Sequence, residues 1–357
     1  MNKSKVYFTG VQNSDTPENI KQKFAQLLKE SRLLDFISKH DKVAVKMHFG
    51  EEGNTGYVKP EFVRVACGHI LQNQAACFLC DTNTLYRGSR GNSPDHLKIA
   101  YEHGFTKENC SVEVIIPDDS RKENVSEIEI NQRFIKIAKV AKIFQEQDAL
   151  VGIAHFKGHM MTGFGGALKN IGMGCAAREG KLAQHSDIAP FVKVKKCVGC
   201  QECIKTCPQN AICIKNKKAY IDPAKCIGCA SCIAACLQNA IEINWEAGGS
   251  SMPQKMVEYA YAVLQTKRDS SAFINFAIKI TKECDCLAKD DPRIVPDVGI
   301  LASLDPVSVD KASFDLVIKR ANKDIFKQVH PERNALQQLE YAYKLGLGNL
   351  EYELIEL

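Results

Sequence analysis

The sequence predicts a mixed α/β protein: a largely parallel sheet with flanking helices, interrupted by a small inserted α+β module. Three observations carry that reading. Strand-like runs alternate with helix-like stretches over residues 1–190, as βαβ units do. The alternation resumes in residues 247–357. Between them, residues 191–246 form a cysteine-dense segment of different composition.

Taken in order, the first strand-like stretch is Val6-Tyr7-Phe8. Residues 42–49 read as a buried strand, and residues 60–72 as a helix with proline in its first turn. Residues 76–81 read as a strand, 95–103 as a short helix, and 112–116 and 149–156 as further strands. Past the cysteine segment, 253–264 looks helical, 273–280 strand-like and 305–320 helical. Gly248-Gly249-Ser250-Ser251 reads as the exit linker of the insertion. Residues 1–190 and 247–357 are then two parts of one α/β body, which 357 residues can accommodate beside a small module.

Hydrophobic residues make up 45% and charged residues 25% of the chain, ordinary values for a globular protein. No apolar run approaches the roughly 18 to 20 residues that span a bilayer. The N-terminus carries no apolar signal core. A cytoplasmic location without membrane attachment is expected. In that reducing compartment sixteen cysteines argue for metal rather than a disulfide framework.

Nine of those cysteines lie within residues 197–236, and eight of them, all but Cys213, form an internal repeat. Residues 196–212 and 225–241 are identical at 11 of 17 positions, at an offset of 29. Each half is C-x₂-C-x₂-C-x₃-C, the spacing of bacterial two-cluster ferredoxins. A short loop wraps three thiolates around one corner of a cubane, and the fourth comes from the other half. The assignment is Cys197, Cys200, Cys203 and Cys236 for one [4Fe–4S] cluster, and Cys226, Cys229, Cys232 and Cys207 for the other. Paired C-x₂-C motifs also hold zinc; eight cysteines in a duplicated pattern favour clusters. Pro208 follows the first fourth-position cysteine, whereas Leu237 follows the second. Eight lysines against four acidic residues give residues 191–246 a local charge of +4. Two clusters of about −2 each would cancel it, since a bound group's charge belongs in the sum. The basic balance therefore does not point to nucleic acid, and no basic stripe with interleaved aromatics occurs.

Three loops that follow predicted strands are rich in polar residues, where open α/β sheets place their sites. The first carries Lys46, His48, Glu51 and Asn54, the second Asp81, Asn83 and Arg90, the third His155, Lys157, His159, Lys169 and Asn170. They are expected to share one pocket facing the module. Its cationic balance suits a small anionic substrate or a phosphate-bearing cofactor. His48, Lys157 and His159 are the candidate catalytic groups, a histidine supplying a proton near working pH. Gly165 and Gly166, leading into a helix, are a candidate phosphate cradle for a flavin or nucleotide. Plain polar turns would produce similar loops. Cys284 and Cys286, with Cys175 and His185, form a candidate third metal site, thiolate and imidazole suiting zinc or iron. Cys67, Cys77, Cys80, Cys110 and Cys213 lie in apolar contexts and read as core residues.

These residues resemble a known family. The segments K46-M-H48-F-G-E-E-G-N54, D81-T-N-T-L-Y86, H155-F-K157-G-H159, K169-N-I-G-M-G-C175, C284-D-C286 and G299-I-L-A-S303-L-D305 are similar to those of the Fe–S centre proteins labelled domain of unknown function 362. The resemblance covers nearly the whole chain. It implies an α/β body with an inserted ferredoxin module and supplies no reaction. A fainter resemblance is to nickel-dependent lactate racemases; a D-H-T-R-P-like motif is not found, so no nickel chemistry follows.

Two functional classes fit. In the first, a redox enzyme passes electrons through two clusters to a substrate or cofactor in the α/β cleft, fed by a ferredoxin, flavodoxin or reductase. In the second, a ferredoxin-like carrier or accessory protein serves or matures a partner enzyme. The enzyme is favoured, because a carrier needs only the ferredoxin segment.

Overall fold

The computed structural model describes residues 3–85, 88–118, 121–185, 189–207, 209–226, 231–243 and 251–357. Among them, eight strands form one sheet: Ser4–Gly10, Lys42–Lys46, Ala76–Cys80, Val114–Ile115, Ala149–His155, Ser271–Ala277, Gly299–Ser303 and Tyr352–Glu356. Their order across the sheet is 352–356, 4–10, 299–303, 271–277, 149–155, 42–46, 76–80 and 114–115. Five of the seven neighbouring pairs are parallel, and the two made by 299–303 are antiparallel. The reversal has a simple cause. A parallel neighbour needs a crossover, usually a helix; between 277 and 299 the chain forms none and turns straight back.

The central strands are buried on both faces, as a parallel sheet requires. Val43, Val45, Val151 and Ile274 join one core with Phe24 and Leu27 of helix Pro17–Ser31 and Phe62 and Val63 of helix Pro60–Gln72. Leu150, Phe273 and Leu301 join another. Its helical side is Ala167–Gly172, Met252–Leu264 and Pro306–Ala321. The alternation of partners along each strand is the period-two geometry of a pleated sheet. Helix 17–31 starts at a capping box between Thr16 and Asn19, and helix 306–321 at Asp305, whose carboxylate accepts from the Val307 and Ser308 amides.

Between 149–155 and 271–277 the chain leaves the sheet. Phe191–Val192 pairs antiparallel with Ile241–Glu242, and Ile212–Lys215 with Lys218–Ile221. The short helices Glu202–Lys205 and Ser231–Ala235 pack on each other. This segment has its own apolar core, containing Cys197, Cys203, Ile212, Cys232, Cys236 and Ile241. Leu85, from the loop after strand 76–80, and Leu182, of helix Arg178–His185, are part of that core. They tie the cysteine segment to the body. No helix of the described residues is long and apolar enough to cross a membrane.

Candidate functional site

The polar loops named from the sequence meet at the carboxyl edge of the parallel strands. Lys46, the last residue of strand 42–46, is buried. Its ammonium lies 3.0 Å from the Asp81 carboxylate and donates to Asn170 Oδ1 at 2.8 Å and the Met47 carbonyl at 2.9 Å. Asn170 closes the clasp by donating to the Lys46 and Ile153 carbonyls. Three strand ends are thereby joined. Burial works to raise the Asp81 pKa, but Lys46, with His96 and His48 near it, holds the carboxyl far below the usual range. Asp81 is therefore ionised.

A second clasp centres on Asp285, in the loop between strands 271–277 and 299–303. The carboxylate accepts from His155 Nδ1 at 3.0 Å and pairs with the Lys157 ammonium at 3.0 Å. Burial opposes the charge, yet His155 and Lys157 keep Asp285 well below its ordinary pKa. Burial likewise pulls on Lys157, and Asp285 raises it. His155 gives its other nitrogen to the Ile278 carbonyl at 2.9 Å, so both ring nitrogens are used inside the protein. The Glu51 amide donates to the Asp285 carbonyl, and the Glu51 carboxylate pairs with Arg90 at 3.1 Å.

His48 sits among these groups. Its Nδ1 accepts from the Gly50 amide at 2.8 Å, which leaves the proton on Nε2. That Nε2 is buried and has no hydrogen-bond partner among the described residues. Burial, reinforced by Arg90, holds the ring well below its usual pKa, so it is neutral.

A candidate metal-binding group stands beside the Asp285 clasp. The ligand atoms of His159, Cys284 and Cys286 all lie within 4.8 Å of one another. His159 is on the hairpin made by Lys157–His159 and Gly163–Gly165, and the cysteines are on the 278–298 loop. The hairpin and the loop are held together by the Gly158 amide, which donates to the Thr281 carbonyl at 2.9 Å. Position 158 must be glycine for this approach, since a Cβ would stand 2.2 Å from the Lys282 carbonyl oxygen. Lys169 donates to Cys284 Sγ at 3.3 Å. The hydrogen bond from Cys286, then Lys169 and Lys157, hold Cys284 well below the usual thiol range, and Cys286 is held up as the proton donor.

The structure rearranges several sequence expectations. Gly165 and Gly166 do not leave an open phosphate cradle. The amides of Ala167 and Leu168 donate to the Asp310 carboxylate at 2.7 and 2.9 Å, and a Cβ on Gly166 would meet Asp310 Oδ1 at 2.2 Å. The chain's own carboxylate fills the helix start that was expected to take a cofactor phosphate. Asn83 turns away, donating to Ser93 Oγ and the Pro117 carbonyl. Asn54 bridges its loop to the Lys289 carbonyl at 2.8 Å. Cys175 is not with Cys284 and Cys286: burial lifts its thiol to about 12, and its charged neighbours are Lys46, Asp81 and Lys181. His185 is a neutral ring near Lys169, its pKa pushed down to about 3 by burial. His159, expected as a proton donor, is the histidine that joins the two cysteines.

Helix 178–185 fastens the Asp81 loop. Lys181 donates to Thr82 Oγ1 and the Asn83 carbonyl, and Arg178 to the Thr84 and Gly91 carbonyls. In the cysteine segment, Cys197, Cys200, Cys203 and Cys236 line one pocket. The amides of Ala219 and Ala240 donate to Cys197 Sγ at 3.4 Å and Cys236 Sγ at 3.2 Å, and the Ala211 amide to Cys207 Sγ at 3.2 Å. Cys229 lies outside the described residues.

The family described as a domain of unknown function, DUF362, matches residues 43–315. The chain belongs to that family. The DUF362 match spans the carboxyl-edge loops and the cysteine segment alike. No curated protein matches the chain. Among solved structures, the lactate racemase apoprotein from Thermoanaerobacterium thermosaccharolyticum is similar at 14% identity and a TM-score of 0.41, over 77% of this chain and 51% of that one. A protein from Thermotoga maritima is similar at 12% identity and a TM-score of 0.41, over 87% and 60%. The DUF362 chain thus matches about half to three fifths of the length of each. Likenesses this distant say nothing of chemistry.

Proposed function

We propose that the chain is an iron–sulfur redox enzyme, with two [4Fe–4S] clusters in a ferredoxin-type module at residues 191–246 set beside the polar site of the body. The observation that carries this is the pocket shared by Cys197, Cys200, Cys203 and Cys236. Three come from one half of the repeat and the fourth from the other, the division of ligands that two-cluster ferredoxins use. Spacing supports a cluster over a single ion. Four sulfurs around zinc, at about 2.3 Å each, would stand about 3.8 Å apart. Among the described residues, the group drawn within 4.8 Å is His159, Cys284 and Cys286, not these four.

Clusters of this kind supply one-electron transfer when bound. The chain's own part is to hold the thiolates, to offset their charge with the lysines of residues 191–246, and to aim amides at sulfur, which tunes potential. Cys226, Cys229, Cys232 and Cys207 would hold the second cluster. Leu85 and Leu182 seat the module on the Asp81 loop and on helix 178–185, which also reaches Thr82. A module docked against the polar loops supports an enzyme over a carrier, whose ferredoxin part would need no such seat. A small anionic substrate would have to share Lys157, Lys169 and Arg90 with their internal partners Asp285, Cys284 and Glu51. A ferredoxin, flavodoxin or reductase in the cytoplasm would supply the electrons.

The test is anaerobic purification followed by iron and sulfide analysis. About eight of each per chain are expected from two four-iron clusters. Four iron per chain after full reconstitution, or zinc in the module, would overturn the reading.

A further inference from the structure

We propose that His159, Cys284 and Cys286 hold one divalent, thiolate-binding transition-metal ion, separate from the clusters, with a fourth position open to an exogenous anion. The argument begins with the donors. Two sulfurs and one imidazole are the set that zinc and ferrous iron take, whereas calcium and magnesium take oxygen. Three protein ligands are the number that leaves a coordination position free. The three lie within 4.8 Å, against about 3.6 to 3.8 Å for ligands on one tetrahedral zinc, so closure asks for a small movement. His159 and Cys284 are buried.

The arrangement around the donors is built. The hairpin carrying His159 and the loop carrying the cysteines are locked by the bond from Gly158 to Thr281 and by His330, whose Nε2 bonds the Lys282 carbonyl at 3.0 Å. His159 Nδ1 faces the Thr162 hydroxyl at 3.0 Å, and that hydroxyl gives its hydrogen to the Phe164 carbonyl at 2.6 Å. The amides of Met161 and Thr162, at 3.2 and 3.3 Å, also donate to Nδ1 and keep the ring proton on Nε2. Binding a metal through Nε2 therefore requires the proton to move to Nδ1, where the Thr162 oxygen can accept it, at the cost of the two amide bonds.

Charge is consistent with that donor set. With both thiols ionised by the metal, Cys284, Cys286, Asp285 and Glu51 face Lys157, Lys169, Arg90 and the doubly donating His155, so the protein groups cancel and the ion's own charge is left for an anionic fourth ligand to reduce.

The test uses the full chain with its clusters loaded, and zinc alone as the probe. Zinc K-edge X-ray absorption is blind to the cluster iron. The expected result is one zinc per chain with two sulfur neighbours, one ring nitrogen and one further light atom. Cys284→Ser and Cys286→Ser should each weaken zinc binding at least tenfold with cluster iron unchanged, and His159→Gln should remove the ring-nitrogen signature. Lys169→Met, which touches Cys284 but is no ligand, should keep the ion. A four-sulfur shell, zinc retained equally by the Cys284→Ser/Cys286→Ser double variant, or equal loss in Lys169→Met would each overturn the proposal. Cluster iron, counted in the same samples, reports separately on the iron–sulfur reading.

Discussion

Replacing Asp285 by Asn tests whether the carboxyl-edge site is held by charge. Asparagine keeps the shape and still accepts from His155, but it leaves the buried Lys157 ammonium with the His155 carbonyl at 2.9 Å as its remaining close acceptor in that clasp. Stripping one partner from a buried pair costs about 3 to 5 kcal/mol. At roughly 2.1 cal/mol/K per residue, a chain of 357 residues has an unfolding entropy of about 0.75 kcal/mol/K, so the melting temperature should fall by about 4 to 7 °C. The pH dependence has a definite sign. Asp285 raises the Lys157 pKa against burial. Without it, burial places the folded pKa below the unfolded one, and the ammonium is released first from the folded chain. The deficit should therefore shrink as pH rises from 7 to 9.5. Anaerobic scanning calorimetry, with iron content matched, measures both. Adding Lys157→Met removes the stranded charge and should restore most of the loss. A deficit under about 1 °C at pH 7, or no rescue by the double variant, would refute the reasoning.

Three further outcomes are expected. Cys207→Ser should perturb the paramagnetic spectrum of the cluster assigned to Cys226, Cys229 and Cys232 more than that of its neighbour, and the reverse would refute the crossed ligands. His96 is fully buried, and burial presses its pKa to about 3. The unfolded chain takes up the proton near pH 6.5, so stability is lost as pH falls towards 3. The loss is about 2 kcal/mol at pH 5, or about 3 °C; His96→Leu should lack this increment, and an unchanged slope would count against it. Gly158→Ala would press a methyl into the Lys282 carbonyl and part the hairpin from the cysteine loop, so zinc absorption should lose its ring-nitrogen signature while cluster iron stays.

Most strands and helices of the body were legible because their signals are local. Proline at the first turn marked helix 60–72, and short apolar runs marked strands 42–46, 76–80 and 149–155. Strand 299–303 was not read, because five small and apolar residues after a long loop carry no period and its reversed direction depends on pairing alone. Helix 17–31 was missed although Thr16 and Asn19 announce its cap. At the site, loop composition found Lys46, His48, Asp81, Arg90, His155 and Lys157. It could not tell that His155 spends both nitrogens on Asp285 and Ile278, since those contacts span more than a hundred residues. The same distance hid the meeting of His159 with Cys284 and Cys286. Asp310, absent from the sequence reading, occupies the glycine segment from a helix that looked purely structural.

Strands 149–155 and 271–277 are direct neighbours in the sheet, yet the cysteine repeat lies between them in the chain. During synthesis the repeat leaves the ribosome before the second strand exists, and the edge of 149–155 on that side waits unpaired. If the repeat takes up the clusters proposed above, iron delivery and sheet closure share one time window. A cell short of iron would prolong it, and an uncovered, largely apolar strand edge is a template for aggregation. The yield of soluble chain should then follow iron supply during translation, and iron added after release should recover less.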